Sequence, residues 1–157
     1  KMEKTLIRGV AKDNNVATIS IVELQDTPGI AFKIFNKLAQ HKINVDIILQ
    51  SVGRDDTKDI TFTVPLDQGK EAIEAIEGMS GSLNFKSVKM DDSVAKVSIV
   101  GAGMESHPGV ASKMFEALYD ANINIRMIST SEIKISVLID SKYADKAVSA
   151  IHDAFLG

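Results

Sequence analysis

Two stretches of the sequence decide the fold: PGIAFKIFNKLAQHKINVDIILQS at positions 28–51 and PGVASKMFEALYDANINIRMISTS at positions 108–131. Ten of these 24 aligned positions are identical. Working outward, VATISIV (residues 16–22) matches VAKVSIV (residues 94–100), and ITFTV (residues 60–64) matches IKISV (residues 133–137). The offset changes from 80 to 78 and to 73 residues, which places insertions and deletions in loops. The sequence therefore contains two copies of one structural unit.

Each copy predicts the same order of elements, β-α-β-β-α. Apolar residues alternate at positions 17, 19 and 21 and again at 95, 97 and 99, which predicts a half-buried strand. Pro28 and Pro108 stand where a helix would start, and apolar residues follow at helical spacing. A second strand is expected just after Asn44 and Asn124, a third over residues 60–64 and 133–139, and a second helix over residues 72–76 and 147–155.

One further strand would close each copy as a ferredoxin-like (βαββαβ) α+β module. The first copy supplies it at residues 83–90. The second copy lacks one after its last helix, but residues 5–11 (TLIRGVA) form an unassigned strand. We therefore predict that the first module (16–90) is inserted into the second (93–157, completed by 5–11). The alternative is an unstructured lead-in over residues 5–11. Because each module has little core of its own, we expect the modules to pack together and the chain to dimerise.

Composition excludes several classes of protein. A net charge of −3 without a basic cluster disfavours binding to nucleic acid. Without cysteine there are no disulfides and no thiolate metal sites, and the three histidines lack the spacing of metal ligands. No apolar run reaches the roughly 20 residues of a membrane helix, and no signal-peptide pattern opens the sequence. These features favour a cytoplasmic protein.

The sequence carries no catalytic motif. GxxxxGK[ST], HExxH, GxSxG and GxGxxG are all missing, and the glycines of GAGMESHPG (residues 101–109) fit no nucleotide-binding fingerprint. We therefore expect no catalytic residues, no cofactor and no metal. A small enzyme with a ferredoxin-like fold is the disfavoured alternative, and a turnover assay would identify it.

Two turns are candidates for ligand binding: DTPGIA (residues 26–31) and SHPGVA (residues 106–111). Free backbone N–H groups at a helix start favour a carboxylate, and glycine allows close approach. The ammonium group of a free amino acid would then need an acceptor such as Asp26, Asp46 or Asn44. The alternative is an ordinary helix N-cap. Because the turn occurs twice, each time followed by Ile-Asn, a ligand site is favoured.

The two copies differ in charge at these positions. Asp26 aligns with Ser106, and Asp46 aligns with Arg126. This difference favours a cationic ligand such as lysine in the first copy and a neutral ligand in the second.

The runs IRGVAKD (residues 7–13), DTPGIAFKIF (residues 26–35), KVSIVGAGMESHPGVASKMFEAL (residues 96–118) and NINIRMISTSEIKISVLI (residues 122–139) resemble the C-terminal regulatory region of aspartate kinase. That region consists of tandem ACT domains, and the resemblance covers nearly the whole chain. The family phosphorylates the side-chain carboxylate of aspartate with ATP, on the way to lysine, threonine and methionine. Its catalytic domain precedes the region resembled here.

The resemblance implies that the chain is a regulatory domain or a separate small subunit, for which Met2 could be an internal start. It further implies that ACT domains of two chains pair side by side, that lysine and/or threonine bind between them, and that binding causes feedback inhibition. A free-standing ACT-type sensor without a kinase partner is the alternative. The effector residues implied for the first site are Asp26, Pro28, Gly29, Ile30, Ala31, Asn44, Val45, Asp46 and Gln50. For the second site they are His107, Gly109, Val110, Asn124 and Ile125, with residues 129–131 near the subunit contact.

Overall fold

The chain folds into two compact units, each with a four-stranded antiparallel sheet and two α-helices. The computed structural model describes residues 7–103 and 107–157. One unit spans Asn15–Asp92 and is called the inserted unit; the other, called the split unit, combines Ser93–Gly157 with the segment up to Asn14. Each sheet has the strand neighbours of a ferredoxin-like fold, so the two modules predicted from the sequence are confirmed.

The inserted unit contains the first copy of the repeat. Its sheet has the order β3-β4-β2-β5, so β3 and β5 are the edge strands. The elements are β2 (Ala17–Gln25), α1 (Ile30–Gln40), β3 (Ile48–Val52), β4 (Thr57–Val64), a 3₁₀ turn (Leu66–Gln68), α2 (Gly69–Glu77) and β5 (Ser87–Asp91).

The split unit contains the second copy and takes its last strand from the front of the chain. Its sheet has the order β1-β6-β8-β7, and β1 pairs antiparallel with β6. Thr5 and Leu6 of the predicted N-terminal strand lie outside the described residues. The elements are β1 (Ile7–Asp13), β6 (Val94–Gly101), α3 (Gly109–Asp120), β7 (Met127–Thr130), β8 (Lys134–Asp140), a 3₁₀ turn (Ser141–Tyr143) and α4 (Ala144–Leu156).

Each sheet buries one face under its helices. The helices contribute the apolar positions that recur every three to four residues: Ile30, Ile34 and Leu38 in α1, and Val110, Met114 and Leu118 in α3. Alternate residues of the central strands, such as Ile19, Ile21 and Ile60, complete the core of the inserted unit. Among the described residues no helix is long and apolar enough to cross a membrane.

The first helix of each copy ends in the same backbone motif. Lys42 and Asn122 adopt the left-handed conformation, with φ of 58° and 61°. The next residue donates its N–H back to the helix, from Ile43 to the Leu38 carbonyl at 3.0 Å and from Ile123 to the Leu118 carbonyl at 2.9 Å. This Schellman geometry turns the chain sharply toward the next strand. It is the reason that the repeated Ile-Asn pair follows a reversal in both copies.

The third strands correspond at a different offset from the one that the sequence match suggests. Ile21 lies opposite Ile60, and Ile99 lies opposite Ile135. Since VATISIV and VAKVSIV align at an offset of 78, the third strands align at 75 residues and the predicted match of ITFTV with IKISV at 73 was wrong. A slip of two residues keeps every side chain on the same face of a strand, so apolar alternation alone does not detect it.

Several predicted boundaries also move. The second strands start at Ile48 and Met127 instead of immediately after Asn44 and Asn124, and the closing strand of the first copy starts at Ser87 instead of residue 83. The intervening residues are extended but only partly paired; for example, the N–H of Asp46 donates to the Thr63 carbonyl at 3.2 Å. Such partial pairing carries the apolar pattern of a strand without its regular ladder.

Candidate functional site

The turn between β2 and α1 of the inserted unit forms a pocket of about 410 Å³. It contains all six residues of the DTPGIA segment that the sequence singled out. Two further residues, Phe32 and Lys58, complete the lining. Phe32 is 71% exposed, which is unusual for a large apolar side chain and leaves an apolar surface at the edge of the pocket.

The position of this turn is fixed by an irregularity in β2. Its register with β4 shifts between Ile21 and Leu24, and Glu23 has a φ of 50°. The bulge returns Leu24 to the core, where it is fully buried. Two backbone bonds then hold the end of the strand, from the N–H of Gln25 to the Asn84 carbonyl and from the N–H of Asp26 to the Asp56 carbonyl, each at 2.8 Å. The pocket therefore begins from a rigid strand end.

The helix start inside the pocket lacks a side-chain cap. Gly29 is the N-cap residue of α1, with φ of 85°, and no side chain bonds to the first turn. The N–H of Ile30 donates to the Thr27 carbonyl at 3.1 Å. Within residues 7–103 and 107–157, no partner is found for the next two amides, those of Ala31 and Phe32. Free amides at the positive end of a helix suit an anionic ligand group such as a carboxylate.

Asp26 is engaged by a residue that the sequence analysis did not select. The Nζ of Lys58 lies 3.1 Å from Oδ1 of Asp26, and the Lys58 side chain is only 16% exposed. Lys58 lies on β4 directly opposite Leu24 of β2. The sequence placed Lys58 in a polar turn. The β-α-β-β order alone would have found it, because the start of the third strand lies beside the end of the first.

The remaining residues predicted for the first site lie at the other end of α1. Asn44, Val45 and Asp46 follow the C-terminus of this 11-residue helix, about 16 Å along its axis from Gly29. The backbone N–H of Asn44 accepts no ligand-like group but donates to Oε1 of Gln68 at 3.0 Å. A single amino acid cannot touch both ends of the helix. The expectation that all these residues of one module form one site is therefore corrected.

Gln50 lies between these two ends. It is exposed on the edge strand β3, opposite Ile60. All five residues of β3 are exposed, and Val52 at its end is paired with Lys58. The edge strand thus leads from the Asn44 end of the unit to the pocket.

The second copy divides its predicted residues in the same way. His107 and Gly109 lie at the start of α3, where Nδ1 of His107 is 3.0 Å from the Gly103 carbonyl, and Val110 is buried in the core. Asn124 lies beyond the other end of α3, and Ile125 packs partly against the core. Ser106, the counterpart of Asp26, lies outside the described residues.

A polar pocket of about 270 Å³ opens at the Asn124 end of the split unit. At the corresponding place in the inserted unit, the side chain of Gln68 bonds to the loop after α1, accepting from Asn44 and donating to the Lys42 carbonyl at 3.2 Å. Tyr143 takes the position of Gln68 at the offset of 75. The pocket is lined by Asn122, Asn124, Arg126, Asp140 and Tyr143.

In the described ranges, no three histidine or carboxylate side chains come together as a metal-binding group. The buried polar side chains of these ranges are all hydrogen-bonded. The polar groups left available at the candidate site are therefore backbone amides and one ion pair.

Comparison with known proteins gives a consistent family assignment. A family model described as ACT domain matches residues 19–79 and 97–155. An aspartokinase of Helicobacter pylori is 49% identical over 155 residues, which cover 99% of this chain and 38% of that protein. An aspartate kinase of Stutzerimonas stutzeri is 47% identical and 37% covered. The chain thus spans less than two fifths of the length of these curated relatives.

Two solved structures match over their full length. The ligand-free regulatory subunit of aspartate kinase from Thermus thermophilus superposes with a TM-score of 0.90 at 42% identity, covering 96% of this chain and 99% of that one. A chain in the structure of aspartokinase alpha and beta subunits superposes with a TM-score of 0.88 at 45% identity, with 95% and 98% covered. The chain therefore belongs to the ACT-domain family, as a tandem ACT unit of the aspartate kinase regulatory type.

Proposed function

We propose that this chain senses an end-product amino acid, lysine and/or threonine, and transmits its binding as feedback inhibition to an aspartate kinase catalytic domain or subunit in the cytoplasm. The observation that carries the proposal is the pocket at the start of α1, with two free amides beside the Asp26–Lys58 pair. Aspartate phosphorylation and the catalytic partner are proposed from the relatives.

The chemistry of the pocket suits the head group of a free amino acid. The α-carboxylate would accept from the amides of Ala31 and Phe32, close to the positive end of the helix. The α-ammonium would lie against the carboxylate of Asp26. Gly29 carries no side chain over this turn, so the backbone stays accessible to a small ligand.

The separation of the two predicted halves favours a site shared between chains. The turn at residues 26–31 and the segment at residues 44–46 lie a helix length apart within one unit. A ligand on the turn would therefore meet an Asn-containing segment only from another ACT domain. We accordingly propose a homodimer in which a partner chain completes each site, and the exposed edge strand β3 and exposed Phe32 are available for such a contact.

Inhibition would follow from linkage between effector binding and subunit arrangement. A ligand held by two chains stabilises the arrangement that it bridges, and it shifts the equilibrium only by its difference in affinity between the arrangements. An attached kinase domain would sense that shift. In the isolated chain the same coupling would appear as tighter dimerisation when effector is present.

The test is isothermal titration of the purified chain with L-lysine and with L-threonine, separately and in sequence, combined with sedimentation at several protein concentrations. We expect saturable binding of at least one ligand and a lower dimer dissociation constant in its presence. Asp46→Arg should weaken binding of lysine. A folded chain that binds neither amino acid, or dimerises equally well with and without it, would overturn the proposal.

A further inference from the structure

We propose that Lys58 determines the charge selectivity of the pocket at the start of α1, so that it accepts an amino acid with an uncharged side chain and disfavours one with a cationic side chain. This inference rests on the proposed function, since it concerns which effector the same pocket takes. It assigns a role to a residue on β4, outside the turn itself.

The ion pair between Lys58 and Asp26 is built into the wall of the pocket. Its two charged atoms are 3.1 Å apart, and Lys58 is only 16% exposed whereas Asp26 is 52% exposed. A mostly buried lysine is less screened by solvent and salt than a surface lysine, so its charge acts more strongly on a neighbouring ligand. The backbone of Lys58 is fixed by pairing with Leu24 and Val52 on both sides.

The pair makes the pocket neutral overall. Asp26 and Lys58 are the charged residues among those that line it, and their formal charges cancel. The head group of an amino acid is a zwitterion, which this arrangement complements with an anion for the ammonium and with a cation and two amides for the carboxylate. A second positive charge on the ligand would have no remaining counter-charge and would be repelled by Lys58.

This result changes the preference that the sequence alone suggested. From Asp26 and Asp46, the first copy favoured lysine as ligand. The carboxylate of Asp26 is already neutralised by Lys58, and Asp46 lies at the opposite end of α1. The pocket therefore has no excess negative charge with which to select a cation.

Comparison of the two copies supports a joint role for the pair. At the offset of 75 residues, Ile133 takes the place of Lys58, and it is 57% exposed. In the sequence, Ser106 takes the place of Asp26. Both members of the pair are thus present in the first copy and replaced by uncharged residues in the second.

The experiment measures dissociation constants of L-lysine and L-threonine by isothermal titration for the unaltered chain and three variants. Lys58→Met removes the charge and keeps the aliphatic length. Lys86→Met is the matched control, since Lys86 lies 3.4 Å from Glu23 in the same unit but is 71% exposed and does not line the pocket. Asp26→Asn removes the opposite charge. Circular dichroism confirms that each variant is folded.

We expect the unaltered chain to bind threonine more tightly than lysine. Lys58→Met should lower the ratio of the lysine to the threonine dissociation constant by about tenfold, while Lys86→Met leaves it unchanged within about twofold. Asp26→Asn should weaken both ligands and raise the ratio, which keeps the test valid if Lys58→Met does not fold. An unchanged ratio in Lys58→Met or Asp26→Asn, or tighter binding of lysine to the unaltered chain, would overturn this inference alone. Failure of the unaltered chain to bind either ligand would overturn the proposed function as well.

Discussion

Gly29 and Gly109 are the same residue of the repeat in different conformations, and this difference yields a sharp prediction. Gly29 is the N-cap of α1 with φ of 85°, a conformation that L side chains rarely adopt. Gly109 is the first residue of α3 and lacks a positive φ. A Cβ at either position would meet no atom within 4 Å. The two sites therefore differ in backbone conformation but not in the space for a methyl group.

The expected magnitudes follow from this conformation alone. An L-residue forced into the left-handed region costs about 1–2 kcal/mol, so Gly29→Ala should destabilise the inserted unit by that amount. At Gly109 the helical backbone suits alanine, and Gly109→Ala should be neutral or should stabilise the split unit by up to about 1 kcal/mol. If the alanine instead moves the turn out of its conformation, the amides of Ala31 and Phe32 move with it. Gly29→Ala should then weaken amino-acid binding at least tenfold as well.

Urea unfolding measures the free-energy changes, and the chain offers a way to assign them. Both of its tyrosines, Tyr119 and Tyr143, belong to the split unit, and it has no tryptophan. Tyrosine fluorescence therefore follows the split unit, whereas circular dichroism follows both units. Equal effects of Gly29→Ala and Gly109→Ala would refute the conformational reasoning. Full binding by a destabilised Gly29→Ala would show that the turn does not hold the ligand.

Three further predictions concern stability, each measured by denaturant unfolding. The hydroxyls of Ser98 and Ser136 are buried and 2.7 Å apart, so Ser98→Ala should cost about 1–3 kcal/mol by leaving its partner unpaired, and adding Ser136→Ala should recover part of that loss; strictly additive losses would contradict this. Lys42→Asn should stabilise the inserted unit by about 0.5–1 kcal/mol because asparagine tolerates the left-handed conformation, while Asn122→Lys should destabilise the split unit by a similar amount. Gln68→Ala should cost about 1–2 kcal/mol because it removes two hydrogen bonds to the loop after α1; no change in the denaturation midpoint would count against that role.

The fold could be read from the sequence because its decisive signals are local or repeated. Alternation at residues 17–21 and helical spacing at residues 30–38 define the elements, and the repeat shows that both copies need the same partners. The missing last strand of the second copy then pointed to the front of the chain, where β1 pairs with β6. Strand register was not accessible in this way. The two-residue slip between residues 60–64 and 133–137 preserves the apolar face, and only the pairing with β2 and β6 reveals it.

The candidate site was predicted less completely because it depends on residues distant in sequence. The turn at residues 26–31 was identified from its own composition, and all six of its residues line one pocket. Lys58 was missed because its role depends on the pairing of β4 with the bulged end of β2. Asn44 and Asp46 were grouped with the turn because both segments recur in the repeat. A repeat indicates shared structure, but it does not show that two segments of one module are close together.

The differences between the two copies show where in the fold selectivity resides. The core positions correspond closely: Leu38 and Leu118 are both fully buried, and a hydroxyl pair links the central strands of each sheet. The connections do not correspond, since Lys58 is replaced by Ile133 and Gln68 by Tyr143. The core fixes the ends of the strands and helices in both units, and the residues at those ends then decide which charges face the ligand. Exchanging such residues between the copies should therefore alter ligand preference at little cost in stability.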